Sequence, residues 1–256
     1  MSWDGVQREL EAELGEPLTI DALTAGWRIA QRAAGHRHSS DDVLTAHYAL
    51  RAQADAPLAL DLGAGIGGVG LLVLWGLGPA ARLVCVEAQE ISHRLLAANV
   101  AGNGLAARVE ARLGDLRELA LAERFALVTG SPPYFPVGTG IVPADPQKAH
   151  ARFELRGDVA DYARAAARHL TPDGAFVLCF PTAQRERALA AIRGAGLAPA
   201  SSRDVVPRAG LRPLFTLFAC RWRAGEHAVE PPLVVRNADG SLTTEMHEVR
   251  RRFGFA

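Results

Sequence analysis

The run Ser131-Pro132-Pro133-Tyr134-Phe135 concentrates the residue types best suited to chemistry in this 256-residue chain. The Ser131 hydroxyl and the Pro132 carbonyl both accept hydrogen bonds, while Tyr134 and Phe135 offer flat faces for stacking. Two acceptors beside an aromatic ring suit a planar substrate that carries an exocyclic NH2 group. The plainer reading is a turn that ends a strand, because proline donates nothing to a ladder and holds φ near about −65°.

Three pieces upstream have similar chemical character. Gly63-Ala64-Gly65-Ile66-Gly67-Gly68, directly after Asp61 and Leu62, is a glycine turn where backbone can approach a ligand closely. Tight strand-to-helix turns also use glycine for packing, so the turn alone decides little. Glu87 follows about 25 residues later, the distance at which dinucleotide sites place an acid for the two hydroxyls of a ribose. Asp115 can accept from an adenine amine while Leu116 covers the ring. In an open α/β sheet, residues at successive strand ends line one crevice. That predicts a nucleotide-bearing cofactor along Asp61, Gly63, Ala64, Gly65, Gly67, Glu87, Asp115, Leu116 and Ser131. Nicotinamide-dependent reductases share the first two pieces, but no Tyr-x-x-x-Lys pair follows here.

With the proline run in place, the series resembles the amine-directed, S-adenosylmethionine-dependent methyltransferases and their Asp/Asn/Ser-Pro-Pro-aromatic motif. Within these, the chain is similar over residues 18–250 to the bacterial transfer-RNA adenine N6-methyltransferases that act on the valine tRNA next to its anticodon. The likeness begins at Gly35-His36-Arg37-His38-Ser39-Ser40-Asp41 and continues through the glycine turn and Ala97-Ala98-Asn99-Val100. It includes Gly138-Thr139-Gly140, Pro143-Ala144-Asp145-Pro146, Ala151-Arg152-Phe153-Glu154 and the tail from Pro231 to Thr243. Ser131 stands where that family usually has asparagine, and His36 and His38 where it has aromatic residues, which leaves the target base open. The resemblance implies S-adenosylmethionine as cofactor and a tRNA partner. It also implies Ser131, Pro132 and Tyr134 at the reacting amine, with Tyr134, Phe135 and Arg152 against the substrate. A small-molecule or protein glutamine-amide methyltransferase is the nearest alternative, since Pro-Pro-Tyr motifs also present amides. An inactive cofactor-binding module and a DNA-modifying enzyme are further ones.

The elements that must position these residues follow from hydrophobic pattern. Strands are predicted at 58–62, 82–86, 108–113, 125–128 and 175–180, with an antiparallel pair at 205–208 and 214–222. Helices are predicted at 43–53, 69–76, 91–102, 157–170 and 183–193. The alternation predicts an α/β, Rossmann-like class I methyltransferase sheet of seven strands, mostly parallel with a closing antiparallel strand. A small N-terminal segment, 1–54, precedes the catalytic domain, 55–224, and a C-terminal extension, 225–256, follows it. Within residues 1–34 helix and strand both remain open.

Composition narrows the class. Lys plus Arg and Asp plus Glu both number 28, so no global basic field announces nucleic acid, and Lys148 is the single lysine. Arg208, Arg212, Arg221 and Arg223 form an expected cluster, with Arg250-Arg251-Arg252 near the end, as solvated faces or a local phosphate patch. Cys85, Cys179 and Cys220 lie in separate apolar runs and read as core residues. His36 and His38 lack a third ligand at useful spacing, so no metal is expected and a surface turn is. The apolar runs are too short to span a membrane and no signal peptide opens the chain, which predicts a cytoplasmic monomer or homodimer.

Overall fold

Continuous burial along the central strands builds a three-layer molecule in the computed structural model, which describes residues 2–255. The outermost residues of the expected first and last regions lie outside it. The chain begins with α1 (Trp3–Leu14), a hairpin of β1 (Leu18–Ala22) and β2 (Arg28–Arg32), and α2 (Ser40–Ala52). The sheet-forming part opens with β3 (Leu58–Leu62), α3 (Gly68–Leu77), β4 (Arg82–Glu87), α4 (Glu90–Gly102), β5 (Val109–Leu113) and β6 (Phe125–Gly130). It continues with α5 (Pro146–Arg152), α6 (Val159–His169), β7 (Leu170–Pro181), α7 (Arg185–Gly194), β8 (Ala198–Val206) and β9 (Phe215–Arg221). β10 (Ala228–Val234) and α8 (Thr244–Arg252) complete it.

In β7, Ala175, Val177 and Cys179 face one apolar layer while Phe176, Leu178 and Phe180 face the other. That two-sided burial is what a central strand requires. Residues of α1 to α4 and α8 fill the first layer, and residues of α6 and α7 the second.

Among the described residues the main sheet has eight strands in the order β10-β8-β9-β7-β6-β3-β4-β5. β9 runs antiparallel to both neighbours, and the remaining pairs are parallel. The expected Rossmann-like sheet with its antiparallel strand is therefore present. The additional strand is β10, whose Pro231 and Pro232 sit where its register against β8 shifts. An edge strand tolerates prolines because one side of its backbone has no ladder to feed.

Two boundaries depart most from the sequence reading. β8 starts at Ala198, not 205, because the polar Ser201 to Arg203 still pairs with β9. β7 starts at Leu170, where the helix pattern had been carried to its end. The N-terminal stretch resolves into α1 and the β1–β2 hairpin. The expected arginine cluster is also divided. Arg208 and Arg212 lie in the β8–β9 loop, at the edge where the parallel strands end. Arg221 and Arg223 lie at the far end of β9, roughly 20 Å away for a seven-residue strand.

Candidate active site

Each piece of the cleft comes from a strand end and is held there by an identifiable bond. Asp61, 2% exposed, accepts from the Gly70 amide at 2.9 Å and from the Thr129 hydroxyl at 2.7 Å, tying β3 to α3 and β6. Burial pushes its carboxyl up to about 7. Both its oxygens are thus engaged with the protein, and Asp61 anchors the glycine turn. Gly63 and Gly65 take φ of 61° and 56°, a region other residues avoid. A Cβ on Gly63 would run into the Tyr162 hydroxyl, whereas one on Gly65 would meet nothing within 4 Å. Gly67, also at positive φ, caps α3 and packs under Leu96 and Leu71, away from the cavity wall.

Glu87, 5% exposed, is fixed by two backbone amides: Gly65 donates to Oε2 and Gln89 to Oε1, each at 2.8 Å. Burial raises its carboxyl from the usual range. Asp115 accepts from the Arg117 side chain, with Nη2 at 2.6 Å, and that bond holds its carboxyl below the usual range. A cavity of about 120 Å³ is lined by Asp61, Gly63, Ala64, Gly65, Glu87, Asp115, Leu116 and Ser131. Eight of the nine expected cofactor residues therefore share one wall, Gly67 being the exception.

A second cavity, about 210 Å³, opens beside it and is lined by Ser131, Pro132, Tyr134, Phe135 and Arg152, together with Asp41 and Asp42. Ser131 faces both. The Tyr134 hydroxyl donates to Asp41 Oδ2 at 3.2 Å and lies 3.3 Å from Cys179 Sγ, which is itself 3.5 Å from Ser131 Oγ. Burial raises the Tyr134 phenol well above its ordinary value. The Tyr134 ring meets Phe180 edge-on at 6.1 Å, while Phe135 is 45% exposed and its backbone pairs with Arg152 and Glu154. The expected substrate residues are thus together. Cys179 is buried, as expected, but beneath the proline run.

No protein-family model matches the chain. Over 133 residues it is 29% identical to the tRNA1(Val) (adenine(37)-N6)-methyltransferase of Klebsiella pneumoniae, covering 49% of this chain and 54% of that enzyme. Over 149 residues it is 32% identical to the release factor glutamine methyltransferase of Cereibacter sphaeroides, covering 56% and 53%. The matches span about half the length of these curated relatives. The solved structure of Atu636, a predicted O-methyltransferase from Agrobacterium tumefaciens, superposes with a TM-score of 0.64 at 20% identity. That match covers 84% of this chain and 98% of the other. The fold is that of a class I methyltransferase.

S-adenosylmethionine is the cofactor that this methyltransferase fold and these relatives imply. Several residues on the cleft wall of the class I sheet were missed by the sequence reading: Tyr162, Asp42, His38, Gln147, His150 and Arg156. His38 accompanies Asp42 at 3.0 Å, so the expected surface turn forms part of the cleft rim. Tyr162 looks like any aromatic on the buried face of α6, and only its contact with Gly63 betrays it. Among the described residues no three His, Cys, Asp or Glu side chains converge as a metal set, and no helix is long and apolar enough to cross a membrane.

Proposed function

We propose that this chain is a cytoplasmic N-methyltransferase that moves a methyl group from S-adenosylmethionine to an exocyclic amine, N6 of an adenine in a tRNA. The observation that carries this reading is the position of Ser131, on the wall of both cavities. The lining of the first cavity suits an adenosyl group. Glu87 keeps lone pairs for ribose hydroxyls, Leu116 offers an apolar surface, and the space above Gly65 is open. When bound, the cofactor supplies an electrophilic methyl group.

The chain's own residues handle the amine. Ser131 Oγ and the Pro132 carbonyl accept its two N–H groups, turning the nitrogen lone pair toward the first cavity. Such positioning contributes on the order of several kcal/mol without a strong base, and the surplus proton of the methylated amine leaves to solvent. An unstacked base meets Tyr134 and the exposed Phe135 in place of its neighbour. Arg152, exposed at the same mouth, pairs with phosphate, and Arg208 and Arg212 extend the basic edge.

The second reading, a protein glutamine amide as acceptor, is favoured by one feature. Exposed aliphatics follow the proline run, with Val137 at 62% and Ile141 at 95%, and stand in the β8–β9 loop, with Leu211 at 57% and Leu214 at 61%. Exposed apolar surface of this kind suits a protein partner. The two readings separate on incubation with methyl-labelled cofactor and separate pools of tRNA, release-factor protein, DNA and small amines. The expected result is label in tRNA, recovered as N6-methyladenine after digestion. Label in glutamine would install the second reading, and no transfer to any pool would overturn the enzyme.

A further inference from the structure

One side chain of the N-terminal hairpin reaches the short helix that borders the cleft. Arg32, at the end of β2 and 9% exposed, donates from Nε to Glu16, from Nη2 to Asp145 Oδ2 at 2.8 Å and from Nη1 to Gln147 Oε1 at 3.1 Å. Asp145 and Gln147 begin the short helix α5, where Asp145 Oδ1 also caps the Lys148 amide at 2.9 Å. Gln147, 1% exposed, receives the His36 amide at 3.0 Å and donates to Ser92 Oγ at 3.2 Å. A Cβ on Gly35 would collide with Gln147 Oε1 and approach the Arg32 Cβ at 2.7 Å, so hairpin and helix are in close contact.

What α5 covers gives these contacts their meaning. It lends Gln147, His150 and Ala151 to the first cavity and Ala151 and Arg152 to the second. The hairpin is itself fixed to the sheet layer. Asn99 on α4 accepts from the Ala30 amide at 2.6 Å and donates to the Ile66 carbonyl of the glycine turn at 2.9 Å. Asn103 makes a similar pair with Arg28. Arg32 therefore joins this frame to the first turn of α5, which is also held by Gln147 on Ser92 and by Arg152 on the Phe135 backbone.

We propose that Arg32 is a positioning residue that fastens α5 as the roof of both cavities, making the N-terminal hairpin part of the catalytic unit. The planar guanidinium serves three acceptors on two segments at once, Glu16 before β1 and Asp145 and Gln147 at the start of α5, a geometry an ammonium cannot reproduce. The inference rests on the methyltransferase reading for its consequence, but the roof itself is testable without cofactor.

Asp145→Asn keeps the helix cap, since asparagine caps as well as aspartate, and removes the charge that Arg32 holds. Arg32→Lys removes the fork and keeps the charge. Hydrogen exchange of the ligand-free protein should show protection of α5 amides falling about 10-fold in each variant, with β3 to β6 unchanged. S-adenosylmethionine affinity by calorimetry should fall by about the same factor, because the closed form is less populated. Adding Gln147→Glu to Asp145→Asn returns a carboxylate to Arg32 without touching the cap and should restore both, a rescue that a merely structural loss would not give. If Arg32→Lys fails to fold, Asp145→Asn and this double variant decide alone. Unchanged α5 exchange in Asp145→Asn would overturn the roof. Wild-type protein that binds no cofactor would instead overturn the parent reading and leave the exchange result to decide the roof.

Discussion

The floor and the roof of the cleft are built by different means. On the floor, Glu87 is held by the backbone amides of Gly65 and Gln89, groups 22 and 2 positions away. On the roof, side chain meets side chain over long separations: Arg32 with Asp145 across 113 positions, and Tyr134 with Asp41 across 93. The floor thus rests mainly on strand rhythm and glycine conformation, with Asp61 on Thr129, 68 positions apart, as its long-range side-chain pair. The roof depends on individual partners, and one substitution can open it. Chemistry that needs a fixed cofactor and an admitted substrate suits that division.

The comparison breaks most visibly at Glu87. Glu87→Ala should weaken S-adenosylmethionine binding by about 2–3 kcal/mol, roughly 30- to 150-fold, the scale of losing charge-assisted bonds to two hydroxyls. Hydrogen exchange of α5 should stay as in wild type. Calorimetry with the cofactor measures the first quantity, and equal affinity would remove Glu87 from the floor.

A smaller effect sharpens the roof side. Tyr134→Phe keeps the ring but deletes the hydroxyl that donates to Asp41 and lies near Cys179. Turnover should fall by about 2- to 10-fold, the worth of one ordinary hydrogen bond, with cofactor affinity unchanged. Steady-state kinetics on the identified acceptor measures it. An equal loss in Tyr134→Ala, which removes the ring as well, would mean that the ring face contributes nothing.

The same division explains what could be read in advance. Asp61, the glycine turn, Glu87 and Asp115 were legible because strand ends recur at regular intervals and each carries a polar residue at its stop. Ser131-Pro132 was legible as a strand stop, because two prolines after an apolar run cannot continue the ladder. Gln147 and Tyr162 were not, since nothing local distinguishes a glutamine on a short helix or a tyrosine on an amphipathic one. Their partners, Arg32 and Gly63, lie 115 and 99 positions away, and only folding joins them. The arginines were misjudged for a related reason. Proximity in sequence placed four of them together, while a single strand, β9, carries two of the four to the opposite edge of the sheet.

The measurement that tests the central claim most directly is a pair of assays on Ser131→Ala. The two prolines and the end of β6 keep the turn, so the variant loses one amine acceptor and little else. The account predicts cofactor affinity within about 2-fold of wild type and turnover lowered about 10- to 1000-fold, the range for deleting one transition-state hydrogen bond. Unchanged turnover on the identified acceptor would contradict it.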